Sequence, residues 1–114
     1  MDAPVLILIF FILPEGNNFI GKWKLDSYDN NGSVTKYSNI YITFQENGKC
    51  IYENSSGAFE ASWKYDESKL NIAYTDNFLE NPFGWTYEFK NENNQLELNS
   101  KIQELEYKVN LIRI

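Results

Sequence analysis

From Gly21 onward, apolar and polar positions alternate with period two, the spacing of half-buried strands rather than the 3.6-residue period of a helix. The first segment, about Gly21 to Asp29, turns Trp23 and Leu25 one way and Lys22, Lys24 and Asp26 the other. The second, Asn39 to Gln45, sets Ile40, Ile42 and Phe44 against Tyr41 and Thr43, and the third sets Cys50 and Tyr52 against Ile51. The fourth reads Phe59, Ala61, Trp63 and Tyr65, and the fifth Leu70, Ile72 and Tyr74. The sixth reads Phe83, Trp85, Tyr87 and Phe89, the seventh Leu96 and Leu98, and the eighth Leu105, Tyr107, Val109 and Leu111. Eight strands are therefore expected, with almost no helix.

Three short polar stretches, Glu46 to Lys49, Asp66 to Lys69 and Asn91 to Asn94, read as tight hairpin turns. They join strands two to three, four to five and six to seven, which places all three at one end. The connections Asn30 to Ser38, Asn54 to Gly57, Asp76 to Pro82 and Ser100 to Gln103 read as looser and belong to the other end. Sequential hairpins in this number favour an antiparallel up-and-down meander, and closing it into a barrel removes the exposed edges. Eight strands enclose an interior that side chains fill or that holds one small ligand.

Ahead of this pattern, Val5 to Leu13 is an unbroken apolar run ending at Pro14. As a helix, nine residues cover only about half of a ~30 Å hydrocarbon core, so no transmembrane span is expected. The length suits an export signal, although Asp2 rather than Lys or Arg precedes it and no A-x-A-like site follows. The rival reading is an extra element packed on the domain. Residues 1–18 are thus expected to be a degenerate signal or extra element with a tether, and residues 19–114 the domain.

Composition removes several kinds of chemistry. The chain has 114 residues, room for one core, and a net charge of −6 with its acidic residues dispersed. Nucleic acid is not an expected partner, because phosphate binding needs clustered Lys and Arg. There is no histidine, which takes away most zinc sites, the Ser-His and Cys-His pairs and the commonest general base. Cys50, the single cysteine, has no intrachain partner and sits in an apolar alternation. The loop Asp29-Asn30-Asn31-Gly32 lacks the acidic spacing of a calcium site. The acidic residues fall mostly on outward parity or in turns. No catalytic residue, metal ligand or cofactor is expected, and the chain reads as a non-enzyme.

The segment Gly21-Lys22-Trp23-Lys24-Leu25 resembles the Gly-x-Trp signature of the lipocalins and their calycin relatives. Further along, Thr43-Phe44-x-x-Asn47-Gly48, Ser62-Trp63-x-Tyr65, Lys69-Leu70-x-Ile72 and a last strand carrying Arg113 extend it. In that order they are similar to the short lipocalin-like domains of small secreted bacterial proteins and lipoproteins, over about Phe19 to Ile114. The resemblance implies that Gly21, Trp23 and Arg113 close one end of the barrel, with Arg113 packed across the Trp23 ring. It also implies a secreted or periplasmic, envelope-associated location and a role in carrying small molecules. The cysteine of a lipoprotein is missing near residue 16, and so is the helix that follows the barrel in full-size lipocalins.

On this reading the protein binds a small apolar or aromatic ligand in the lumen as a monomer. Phe59, Trp63, Tyr65, Tyr74, Trp85 and Tyr87 are expected to line the site. Phe78 and Leu79, in an otherwise polar loop, act as a lid or fold back onto the core. The alternative is a barrel filled by its own rings, acting through its surface as a protein-interaction or inhibitor module.

Overall fold

The computed structural model describes residues 18–73, 75 and 77–114. The apolar run Val5 to Leu13, Tyr74 and Asp76 lie outside the described residues. The elements named among the described residues are strands: β1 (Gly21–Asn30), β2 (Ser33–Lys36), β3 (Tyr41–Phe44), β4 (Lys49–Asn54), β5 (Gly57–Tyr65), β6 (Leu70–Ala73), β7 (Thr86–Lys90), β8 (Gln95–Ile102) and β9 (Leu105–Arg113). They form one antiparallel sheet in the order β6-β5-β4-β3-β1-β9-β8-β7. An isolated bridge between Leu70 and Trp85 joins its two ends through backbone hydrogen bonds of 2.7 and 2.8 Å. The result is an eight-stranded meander nearly closed into a barrel, as the alternation implies, with β2 as an addition beside β1.

Burial follows the expected parity through the middle of the barrel. Trp23, Leu25, Ile42, Phe44, Cys50, Leu70, Leu96, Leu98, Val109 and Leu111 are all buried, and the residues between them face outward. Covering an apolar side chain of this kind stabilises by about 1.5–3 kcal/mol. Burial pushes the Cys50 thiol up to about 12, so it behaves as a small hydrophobe.

The structure departs from the sequence pattern in four places. First, β2 occupies part of the expected loose connection Asn30 to Ser38. All four of its residues are exposed, so no alternation marks it. Its hairpin turns on Asn31 and Gly32, both with positive φ (51° and 97°), the Asn-Gly pairing such turns favour. Second, Asn54 to Gly57 and Ser100 to Gln103 are not loose. Asn54 pairs with Gly57 and Ile102 with Leu105, leaving two-residue turns. The Asn54 side chain accepts the Ser56 N–H at 2.8 Å, and Gln103 takes a φ of 58°.

Third, the barrel does not close all the way round, although β1 and β9 pair as expected from Trp23–Arg113 to Asn30–Tyr107. The weak seam lies instead between β6 and β7, which meet only at the Leu70–Trp85 bridge. Fourth, a bulge between Leu25 and Ser27 reverses the facing of β1. Beyond it Tyr28 pairs with the buried Val109 and turns inward, while Ser27, itself buried, and Asp29 pair with Asn110 and Lys108.

Candidate functional site

One end of the barrel is built shut. Just ahead of β1, Phe19 drops a fully buried ring among Phe44, Trp63, Tyr65, Tyr87 and Phe89, with centroids 4.9–6.0 Å away. Three of the residues expected to line a lumen, Trp63, Tyr65 and Tyr87, therefore pack on a ring of this same chain. The polar atoms of Trp63 and Tyr87 are engaged as well. The Trp63 indole N–H donates to the Gln45 and Lys49 carbonyls at 2.9 and 3.0 Å, and the Tyr87 hydroxyl donates to the Asp66 carbonyl at 2.8 Å.

Outside Phe19, Trp23 donates its indole N–H to the Phe19 carbonyl at 2.8 Å. The Arg113 guanidinium carbon lies 4.1 Å from the centroid of the Trp23 ring. Arg113 also donates to the Asn93, Ile20 and Asn18 carbonyls, so one side chain ties the last strand to a turn and to the chain entering β1. Desolvation lowers its pKa from the ordinary value without neutralising it near neutral pH. Gly21, with φ of 125°, leaves no room for more: a Cβ there would stand 3.0 Å from Arg113 Nη1. Gly21, Trp23 and Arg113 thus form one cluster.

The opposite end is bordered by the β1–β2, β4–β5 and β8–β9 hairpins and the 75–85 connection. Two successive Asx turns shape that connection. Asn77 Oδ1 accepts from the Thr75 hydroxyl and the Leu79 N–H, and Asn81 Oδ1 accepts from the Phe83 N–H. Leu79 is wholly buried, and its carbonyl accepts the Trp85 indole N–H at 2.9 Å, so both of these expected ligand residues belong to the core. Phe78 is half-buried and lies flat on Tyr28, centroids 4.1 Å apart with 16° between planes, with Tyr37 at 5.7 Å.

Tyr28, Tyr37 and Tyr107 share this end. Burial first, and then the neighbouring Tyr107 and Tyr37 phenols, push the Tyr28 pKa up. Phe59 and Leu105 keep inward parity but reach past their covering neighbours, at 48% and 44% exposure, and form an apolar rim. Parity alone placed Phe59 in the lumen; the structure places it at the mouth. Neither Tyr28 nor Tyr37 is marked as a site residue by the alternation. The bulge in β1 has no signature in the sequence, and Tyr37 sits in the connection where the Asn31-Gly32 turn was the readable clue.

A concavity of about 680 Å³ lies along the outer face at the same end of the barrel. Thr86, Asn99, Lys108 and Asp29 form a row across β7, β8, β9 and β1, one position over from the inward-facing Tyr87, Leu98, Val109 and Tyr28. Asn31, Gly32, Lys101 and Glu106 continue it at the hairpin turns, and Lys69 flanks it across the seam. Because β7 begins at Thr86, the edge of β8 is open beyond Asn99, and there Ser100 and Tyr107 join the lining.

Beside this groove, burial alone would raise the Glu97 carboxyl. Hydrogen bonds from Asn99 and Lys90 and the charges of Lys108 and Lys90 outweigh it, so its pKa is lowered. Lys90, 3.0 Å away, is raised chiefly by its hydrogen bond to Glu97. Among the described residues there is no group of three or more Cys, Asp or Glu side chains that could hold a metal ion. Nor is any described helix long and apolar enough to cross a membrane. Comparisons with protein-family models, curated proteins and solved structures return no match.

Proposed function

We propose that this protein is a non-catalytic, lipocalin-like binding domain that takes a small flat apolar ligand at the open end of its barrel. The observation that carries this reading is the stack of Phe78 on Tyr28. A loop ring lies in an aromatic slot bordered by Tyr37, where the ring of a ligand would gain the same contact. The apolar rim of Phe59 and Leu105 supports entry of such a molecule, and the tyrosine hydroxyls supply orienting hydrogen bonds. The deeper aromatics serve as the floor, since Phe19 already fills the space among Trp63, Tyr65 and Tyr87.

A ligand in this slot displaces Phe78. Removing that ring therefore removes a competitor worth about 0.5–1.5 kcal/mol, and Phe78→Ala should bind about 2- to 12-fold more tightly than the native chain. Fluorescence titration with phenylnaphthylamine, a neutral aromatic probe, measures the ratio. Saturable binding that tightens in the variant supports the proposal; no response in either protein overturns it.

A second reading, surface recognition of a protein, takes support from the exposure of Val34 and Phe83 (57% and 62%) beyond the rim. It expects the probe to be ignored.

A further inference from the structure

The outer groove adjoins the mouth and shares Tyr107 with it, but the rest of its lining has a different chemistry. We propose that it is a second binding site, for a neutral polyhydroxylated ligand of the saccharide class. Charges of both signs line it: Lys69, Lys101 and Lys108 against Asp29 and Glu106, a net of one positive charge. So small a net charge at an exposed, salt-screened site selects strongly for neither an anion nor a cation. Its surface is mixed, with the Tyr107 ring and the lysine stems set among polar groups, which suits a molecule that is itself amphipathic.

A sugar hydroxyl both donates and accepts, and the groove presents both functions side by side. Asp29 spends one oxygen, Oδ1, on the Gly32 N–H at 2.7 Å. The Asn99 amide nitrogen is turned to Glu97 at 3.1 Å, which leaves its carbonyl oxygen. The Lys101–Glu106 pair is loose, at 3.9 Å with side chains 62% and 72% exposed. Each partner therefore keeps most of its hydrogen-bonding capacity. The half-buried Tyr107 ring, reached past Ser100 where β8 has no β7 partner, supplies an apolar surface against which pyranose C–H groups would pack. The volume of about 680 Å³ lies within the range of small-ligand sites.

The test is titration of the full chain with cellobiose, maltose and chitobiose separately, followed in amide proton–nitrogen correlation spectra, with citrate as a polyanionic control. The expected result is saturable shifts at Asn31, Asn99, Lys101 and Lys108 with at least one disaccharide and none with citrate. Lys101→Ala, which is exposed and does not endanger the fold, should weaken that binding about tenfold. Asn99→Ala should do the same. The three disaccharides leaving these amides unmoved, citrate shifting them, or a saccharide binding unchanged by both substitutions would each overturn the assignment. Phenylnaphthylamine at the mouth should shift Phe59 and Phe78 and leave Asn99, Lys101 and Lys108 unmoved, so failure at one site is read separately from failure at the other.

Discussion

Removing the Phe19 ring tests how the closed half of the barrel is held. The ring is wholly buried and touches five aromatics, three of them in edge-on geometry. Its backbone carbonyl, which accepts the Trp23 indole N–H, survives substitution. Phe19→Ala therefore deletes packing and leaves the hydrogen bond. Truncations of this kind cost about 3–5 kcal/mol, and the rigid rings around the site put the expected loss at the upper part of that range. In urea, with a slope of about 1–3 kcal/mol per molar for a domain of this size, the midpoint should fall by roughly 1.5–4 M.

The vacated space would be apolar and lined by Phe44, Trp63, Tyr65, Tyr87 and Phe89, a cavity that stays dry and accepts benzene. Benzene at ten times its dissociation constant should restore about 1.4 kcal/mol to the variant and nothing to the native chain. Tryptophan fluorescence during urea unfolding reads both effects. A loss below about 1 kcal/mol, or equal benzene stabilisation of both proteins, would refute the role assigned to Phe19.

Three further outcomes follow from named contacts. Gly21→Ala, at φ 125° and 3.0 Å from Arg113 Nη1, should cost about 1–3 kcal/mol. It should cost more than Gly57→Ala, at φ 141° in open space, and equal losses in urea melts would deny the Arg113 contact any part. Cys50, buried and with its thiol pushed up to about 12, should not react with an aromatic disulfide reagent at mildly alkaline pH until the protein unfolds; rapid native labelling would contradict its burial. Tyr28 has a folded pKa above its unfolded value, so the stability it contributes is complete below about pH 10 and is lost as pH rises through the folded value. Urea stability above that pH should fall less steeply in Tyr28→Phe, and identical slopes would remove the phenol from the mouth cluster.

Much of the fold was readable in the residues. Alternation over most of the stretch from Trp23 to Leu111 marks eight strands, because through the middle of the barrel inward side chains are covered and outward ones solvated. Arg113 shares the inward parity of its strand, and its guanidinium lies over Trp23. What parity does not carry is depth along the barrel or breaks in register. Phe59 and Trp63 have the same facing, yet one lies on the rim and the other under Phe19. The bulge at Asp26 exchanges Ser27 for Tyr28 through pairing with β9 alone, a contact eighty residues away in the chain. The outer groove escaped because polar residues on outward parity look the same whether the sheet is convex or hollow there.

Binding at the mouth is tested most directly by locating the probe on the protein. Phenylnaphthylamine should be titrated into the full chain and followed by side-chain aromatic and amide chemical shifts. Saturable shifts centred on Tyr28, Tyr37, Phe59, Phe78 and Tyr107, with Phe19 and Trp23 unmoved, are the expected result. Shifts centred instead on Phe19, Trp63 and Tyr87, or none at saturating probe, would contradict it.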